Sequence, residues 1–185
     1  MKALKVILIA FISIVALVVI AGFFLPSQVH IERSLMMKSP PSSVFSQIND
    51  LKTWNGWMPF NKMDSTMKQT YGEKTMGEGA SYSWESKKMG NGSVTISKSM
   101  PNENIDVALY FKEMGTAKSG YKIEKTDGGT KVTWTMEQEM GNNPINRIKG
   151  AIMTKFMGPV FDRGLKDLDS TSALVPIPVD STAMH

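Results

Sequence analysis

The side chains that could perform acid–base or nucleophilic chemistry are few in this chain of 185 residues and lie far apart. The chain has two histidines, His30 and His185, and no cysteine. Acid–base and nucleophilic sites usually need a histidine, a cysteine or a close pair of carboxylates. Glu137 and Glu139 are two residues apart, but on the strand face opposite the apolar side chains, where we expect a solvated edge. We therefore predict no catalytic residue; an enzymatic role stays open, with binding favoured over catalysis.

The spacings typical of metal, phosphate and nucleic-acid sites are also lacking. No group of His, Asp and Glu residues has the spacing of metal ligands. The formal net charge is +4, but Lys2 and Lys5 precede the first acidic residue, and the remaining basic and acidic side chains alternate along the chain. A nucleic-acid surface needs clustered positive charge. We expect no metal, no cofactor and no nucleic-acid partner.

Large apolar side chains are the feature that could form a binding site. The 15 methionines are many for this length, and methionine suits adaptable apolar surfaces, although a general preference for methionine explains them equally well. Aromatic side chains can line a pocket, with hydroxyl and N–H groups to orient a ligand, or they can fill a core. The predicted ligand contacts are Trp54, Trp57, Tyr82, Trp84, Phe111, Tyr121, Trp134, Met136, Met153 and Phe156.

The first element that positions these residues is an apolar segment near the N-terminus. Residues 6–25 carry no charge, and Ser13 is their one polar side chain. A helix of about 20 apolar residues spans the roughly 30 Å core of a bilayer. The segment exceeds the roughly 7–15 residues of a signal-peptide core and lacks a small-x-small cleavage site. We predict an uncleaved transmembrane signal anchor at residues 1–26, with a cleaved signal peptide as the alternative.

The orientation follows from the charges around this segment. Lys2 and Lys5 precede it, and no basic cluster follows it. The positive-inside rule then keeps the N-terminus in the cytoplasm. We predict a single-pass membrane protein whose following domain faces the periplasm or the cell exterior.

Residues 27–170 are predicted to form one α+β domain. A first strand-like stretch, residues 29–37, precedes a helix for which Ser39 is the expected N-cap. From residue 67 the apolar period changes to two, and turn clusters such as Asp127-Gly128 separate six strand-like runs. Short turns make neighbouring strands antiparallel, so we predict a six-stranded meander with one apolar face.

One long amphipathic helix is predicted to cover that face. A helical period returns after residue 144, with a bend expected at Gly158-Pro159. A curved sheet with one apolar face needs such a cover. Residues 171–185 lack periodicity and are predicted to be a disordered tail.

This order of elements resembles the helix-grip fold of the SRPBCC superfamily, which includes START domains and the birch-pollen allergen. The most similar branch is that of the polyketide cyclase/dehydrase-like proteins. The resemblance covers residues 28–170 and rests on the order and spacing of several short motifs. They are Val29-His30-Ile31-Glu32-Arg33-Ser34, Pro41-x-x-Val44-Phe45-x-x-Ile48-Asn49-Asp50-Leu51, Trp54-x-x-Trp57-x-Pro59, Gly79-Ala80-Ser81-Tyr82-x-Trp84, Gly128-Gly129-Thr130-Lys131-Val132-Thr133-Trp134 and Gly158-Pro159-x-Phe161-x-x-Gly164-Leu165.

The resemblance implies a deep apolar cavity between sheet and helix, suited to a lipid, an isoprenoid or an aromatic polyketide. We expect membrane-anchored binding of a hydrophobic or amphipathic small molecule there, with Trp54 and Trp57 as a lid or as a hydrophobic plug. Two alternatives stay open. One is an envelope protein-interaction module with a filled core, and the other is a cyclase or dehydratase in which a tyrosine or a carboxylate moves a proton.

Overall fold

The computed structural model describes residues 2–175. They form five helices and seven strands in the order α1 (Lys2–Phe23), β1 (Gln28–Met37), α2 (Pro41–Asn49), α3 (Trp54–Trp57), α4 (Pro59–Met63), β2 (Lys68–Tyr71), β3 (Ser81–Ser86), β4 (Gly90–Met100), β5 (Asn104–Phe111), β6 (Gly115–Thr126), β7 (Gly129–Glu139) and α5 (Pro144–Ser172).

The seven strands form one antiparallel sheet in the spatial order β1-β7-β6-β5-β4-β3-β2. Strands β2 to β7 are the predicted six-stranded meander, and β1 pairs with the free side of β7 from Gln28 to Met37. The predicted Asp127-Gly128 turn joins β6 to β7, where Thr126 pairs with Gly129. The α+β helix-grip architecture is therefore confirmed.

Helix α5 covers the apolar face of the sheet. Its N-cap is Asn143, whose side chain accepts a hydrogen bond of 2.9 Å from the backbone N–H of Ile145. Phe161, Leu165 and Leu168 on its inner side are buried in the core. The bend was expected at Gly158-Pro159, and the helix continues as one element through both residues.

The prediction that Ser39 caps α2 was wrong. Pro40 occupies the N-cap position with an extended backbone, and Pro41 begins the helix. Proline suits this place because the first N–H groups of a helix have no partner within it. The Ser39 hydroxyl is buried without a hydrogen-bond partner.

The predicted domain boundaries can be compared with the helices at the two ends of the described chain. Helix α1 is long and apolar enough to cross a membrane, and nearly all of its side chains are exposed. At the other end, α5 extends to Ser172, two residues into the segment predicted as a disordered tail. Residues 176–185 of that segment lie outside the described residues.

Candidate functional site

A cavity of about 180 Å³ lies between the concave face of the sheet and α5. Its walls come from α3, α4, the inner face of β3, β5, β6 and β7, and the inner side of α5. Alternation along the strands directs every second side chain to this face. Eight of the ten predicted contacts line it: Trp54, Tyr82, Trp84, Phe111, Tyr121, Trp134, Met136 and Met153.

Trp57 is fully buried but lies behind the cavity wall. Its ring packs edge-on against Tyr121 and Trp134, with centroids 5.9 and 6.1 Å away. Its indole Nε1 donates to the carbonyl of Gln47 at 3.1 Å. Trp54 Nε1 donates to the carbonyl of Ile48 at 2.9 Å. Both tryptophans are therefore buried and hydrogen-bonded to the backbone of α2.

Phe156 lies outside the cavity, contrary to the expectation that it faces the sheet. It is 65% exposed. The residues of α5 that line the cavity are Met153, Met157 and Phe161, which recur every four residues. Because each helical residue is rotated by about 100°, Phe156 points well away from its neighbour Met157.

Stacked aromatic rings make one wall of the cavity. Phe161 stacks on Trp134 with centroids 3.8 Å apart and planes 12° apart. Tyr121 stacks on the same indole at 5.2 Å. Such pairs stabilise beyond the area they bury, by about 0.5–1.5 kcal/mol each. This wall is therefore a well-packed part of the fold.

Flexible methionines form much of the remaining lining. Met58, Met67, Met89, Met114 and Met157 all reach the cavity, in addition to the two predicted methionines. The sequence reasoning noted the abundance of methionine without placing these five. Because methionine side chains change rotamer easily, they can enlarge the space for a ligand.

The polar groups of the cavity are few and uncharged. Its lining includes Ser119 and Asn61 but no Asp, Glu, His, Lys or Arg from the described residues. Ser119 Oγ accepts from Trp134 Nε1 at 3.0 Å and donates to the carbonyl of Thr135 at 2.8 Å. This hydroxyl is therefore already paired within the protein.

Tyr82 and Tyr121 are the two tyrosines of the lining, and both are buried. Burial is the main cause that raises the pKa of each phenol well above its usual range. Both phenols thus stay protonated at neutral pH and can donate a hydrogen bond. The arrangement suits an apolar molecule that carries one hydrogen-bond acceptor.

A buried carboxylate fixes the loops beside the cavity, a feature the sequence reasoning missed. Asp64 follows α4 and is 1% exposed. It accepts from Ser86 Oγ and from Thr66 Oγ1, each at 2.6 Å, and from Thr66 N at 2.9 Å. These hydrogen bonds, that of Ser86 first, hold the pKa of Asp64 well below its usual range. Ser86 Oγ also accepts from the backbone N–H of Met89 at 2.9 Å, which positions a cavity-lining residue.

Comparison with known proteins gives one family. Residues 28–173 match the family described as polyketide cyclase/dehydrase and lipid transport. No curated protein sequence matches the chain.

Several solved structures share the fold. Protein CV1439 from Chromobacterium violaceum has a TM-score of 0.56 and 17% identity, over 82% of this chain and 100% of that one. Protein SA2116 of unknown function from Staphylococcus aureus has a TM-score of 0.59 and 13% identity, over 79% and 94%. DynU16, a protein of the dynemicin biosynthetic locus, has a TM-score of 0.56 and 11% identity, over 78% and 47%. At these identities the likeness establishes the fold alone.

Proposed function

The chain belongs to the polyketide cyclase/dehydrase and lipid transport family, and on that premise we propose that its domain binds a hydrophobic or amphipathic small molecule between the sheet and α5. The observation that carries this proposal is the apolar cavity of about 180 Å³. A filled core would have favoured the interaction-module alternative. The open space supports binding instead.

The volume and lining support a small apolar ligand. A dry apolar cavity of about 150 Å³ in another protein accommodates benzene, whereas drug-sized ligands need roughly 300–1,000 Å³. The cavity therefore suits one aromatic ring or the end of one acyl chain without rearrangement. Movement of the methionines would admit a longer lipid, isoprenoid or polyketide-like molecule. Tyr82 and Tyr121 would donate to its polar group.

The same lining makes binding a better proposal than catalysis. General acid–base chemistry at neutral pH needs a group whose pKa lies near 7. The two phenols have pKa values raised by burial, so neither is suited to release or accept a proton at that pH. A cyclase or dehydratase would have to rely on positioning the substrate, aided by these two hydroxyls.

Membrane anchoring belongs to the same proposal. Helix α1 would cross the membrane with its N-terminus in the cytoplasm, which places the domain in the periplasm or outside the cell. Burial of about 150 Å² of ligand surface gives roughly 4 kcal/mol, which corresponds to only millimolar affinity. A domain tethered beside the bilayer would meet lipids at high effective concentration, which compensates for weak intrinsic binding.

The test uses residues 27–185, purified from a host that contains membranes. Organic extraction and mass spectrometry should recover bound lipid above the level of a control protein. All four tryptophans of the chain line the cavity or pack against its wall, so a brominated fatty acid should quench their fluorescence on binding.

A pair of variants makes the test specific. Val107 lines the cavity, and Ala108 is the next residue of β5, exposed on the opposite face. Val107→Phe should weaken binding of the brominated fatty acid at least tenfold, about 1.4 kcal/mol, by filling the space. Ala108→Phe should bind as the wild type does. Equal binding by both variants, or no lipid above the control, would contradict the proposal.

A further inference from the structure

An apolar stripe runs along the outer side of the first half of α5. Ile145, Ile152 and Phe156 are 52%, 54% and 65% exposed. At about 100° per residue, these three side chains lie within about 40° of one another around the helix. Phe161, nine residues after Ile152, points to the opposite side and lines the cavity. The stripe therefore belongs neither to the core nor to the cavity.

The charged residues in this part of α5 are all positive. Residues 144–161 include Arg147, Lys149 and Lys155 but no acidic residue. Lys149 and Lys155 are each three residues from Ile152, so they lie about 60° from it around the helix, on its two sides. An apolar helix face flanked by lysines is typical of helices that lie in a membrane interface. There the lysine stems cover apolar surface while their ammonium groups reach the lipid headgroups.

Arg147 attaches this part of α5 to the end of α1. Its guanidinium Nη1 donates to the carbonyl of Phe23 at 2.9 Å and to that of Leu25 at 3.4 Å. Its Nε donates to the carbonyl of Gly141 at 2.9 Å, which fixes the side chain on the domain. The last carbonyls of a helix have no partner within it and carry partial negative charge, so a guanidinium stabilises them well.

Close packing reinforces this attachment. Gly22 is buried, and a Cβ there would lie 2.8 Å from the carbonyl oxygen of Pro144 and 3.0 Å from Cδ1 of Ile148. Glycine is thus the residue that lets the end of α1 contact the first turns of α5. If α1 crosses a bilayer, its end lies at the headgroup level, and the start of α5 is held at the same level.

We propose that the outer stripe of α5 lies on the surface of the bilayer that α1 crosses, with Lys149 and Lys155 at acidic phospholipid headgroups. This inference rests on the anchoring role given to α1 under the proposed function. It has a consequence for loading the cavity. Met153, Met157 and Phe161 line the cavity from the same helix, so the bilayer and the cavity would both contact α5.

The test uses the full chain in nanodiscs that contain phosphatidylcholine and phosphatidylglycerol. Because the chain has no cysteine, a single introduced cysteine accepts one nitroxide spin label without side reactions. Labels would be placed at Ile152→Cys on the stripe, at Tyr110→Cys on the outer face of β5 and at Leu17→Cys in α1. All three side chains are at least 49% exposed, so the label should not disturb the fold.

The measurement is the collision rate of each label with a neutral, water-soluble nickel chelate. We expect this rate to be at least threefold lower at residue 152 than at residue 110. Equal rates at 152 and 110, with protection at residue 17, would overturn the inference and leave the anchoring intact. Free access at residue 17 would instead contradict the anchoring, and the inference with it.

Charge reversal tests the role of the lysines. The double variant Lys149→Glu, Lys155→Glu should raise the collision rate at residue 152 at least twofold in nanodiscs that contain phosphatidylglycerol. The matched control, Lys118→Glu with Lys125→Glu, changes the same charge on exposed positions of β6 and should leave the rate unchanged. An equal effect of both double variants would show that net charge alone, and not this surface, controls the contact.

Discussion

Replacement of Phe161 by alanine tests whether α5 and the sheet are joined as the structure indicates. Phe161 is 1% exposed and stacks on Trp134 at 3.8 Å. The substitution removes the ring from the cavity wall and enlarges the space between α5 and β7. It changes both the stability of the domain and the volume available to a ligand.

The expected loss of stability is large. Phenylalanine-to-alanine changes in protein cores cost about 3–5 kcal/mol, and the stacking with Trp134 places this position in the upper part of that range. For a domain of this size, each kcal/mol lowers the melting temperature by about 2–4 °C. We therefore expect a decrease of roughly 8–20 °C.

Phe156→Ala is a matched control on the same helix. Phe156 is 65% exposed and contributes little to the core. Exposed substitutions usually change stability by no more than about 0.5 kcal/mol. Its melting temperature should therefore stay within about 2 °C of the wild type.

The assay is thermal and urea unfolding of residues 27–185, followed by circular dichroism, with and without indole. Indole should fill the space left by Phe161→Ala and recover about 2.7 kcal/mol at 100 times its dissociation constant. It should raise the melting temperature of this variant more than that of the wild type. The reasoning is refuted if the two alanine variants differ by less than about 1 kcal/mol, or if indole stabilises neither Phe161→Ala nor the wild type.

Two further substitutions test other parts of the site. Because the pKa of folded Asp64 lies below its ordinary 3.8, its contribution to stability is present above that pH and lost below it. Asp64→Asn should therefore have a lower free energy of unfolding than the wild type at pH 7. The difference between the two proteins should shrink below about pH 4. A difference that does not change with pH in urea titrations would contradict this. A Cβ at Gly92 would lie 2.3 Å from the ring of Trp84, whereas one at Gly128 would meet nothing within 4 Å. Gly92→Ala should lower the melting temperature and alter tryptophan emission, and Gly128→Ala, as the control, should leave emission unchanged; equal effects would contradict the packing of Trp84.

Local pattern was sufficient to predict most of the fold. The period of two and the Asp127-Gly128 turn specify antiparallel neighbours, because a two-residue turn brings the two strands that it joins side by side. The pairing of β1 with β7 is a long-range contact, which local pattern does not specify. Ser39 failed as a cap because Pro40, beside it in sequence, took the N-cap position.

Local pattern also predicted part of the cavity lining. Tyr82, Tyr121 and Trp134 lie on strands, where alternation decides which face a side chain occupies. Phe156 was misplaced because both sides of α5 carry apolar residues, so periodicity alone does not identify the inner side. Trp57 reaches the core but not the cavity, a distinction that depends on the packing of α3 against β6 and β7.

By itself, the sequence determined the apolar N-terminal helix, the meander and the covering helix, since these follow from residue types and short-range periodicity. Only the tertiary structure decided which aromatic rings enclose space and which fill it, that Asp64 holds two loops together, and that Arg147 joins α5 to the end of α1. The physical reason is that these features arise where segments distant in the chain meet. Their geometry is set by how closely whole elements pack, which no single stretch of sequence contains.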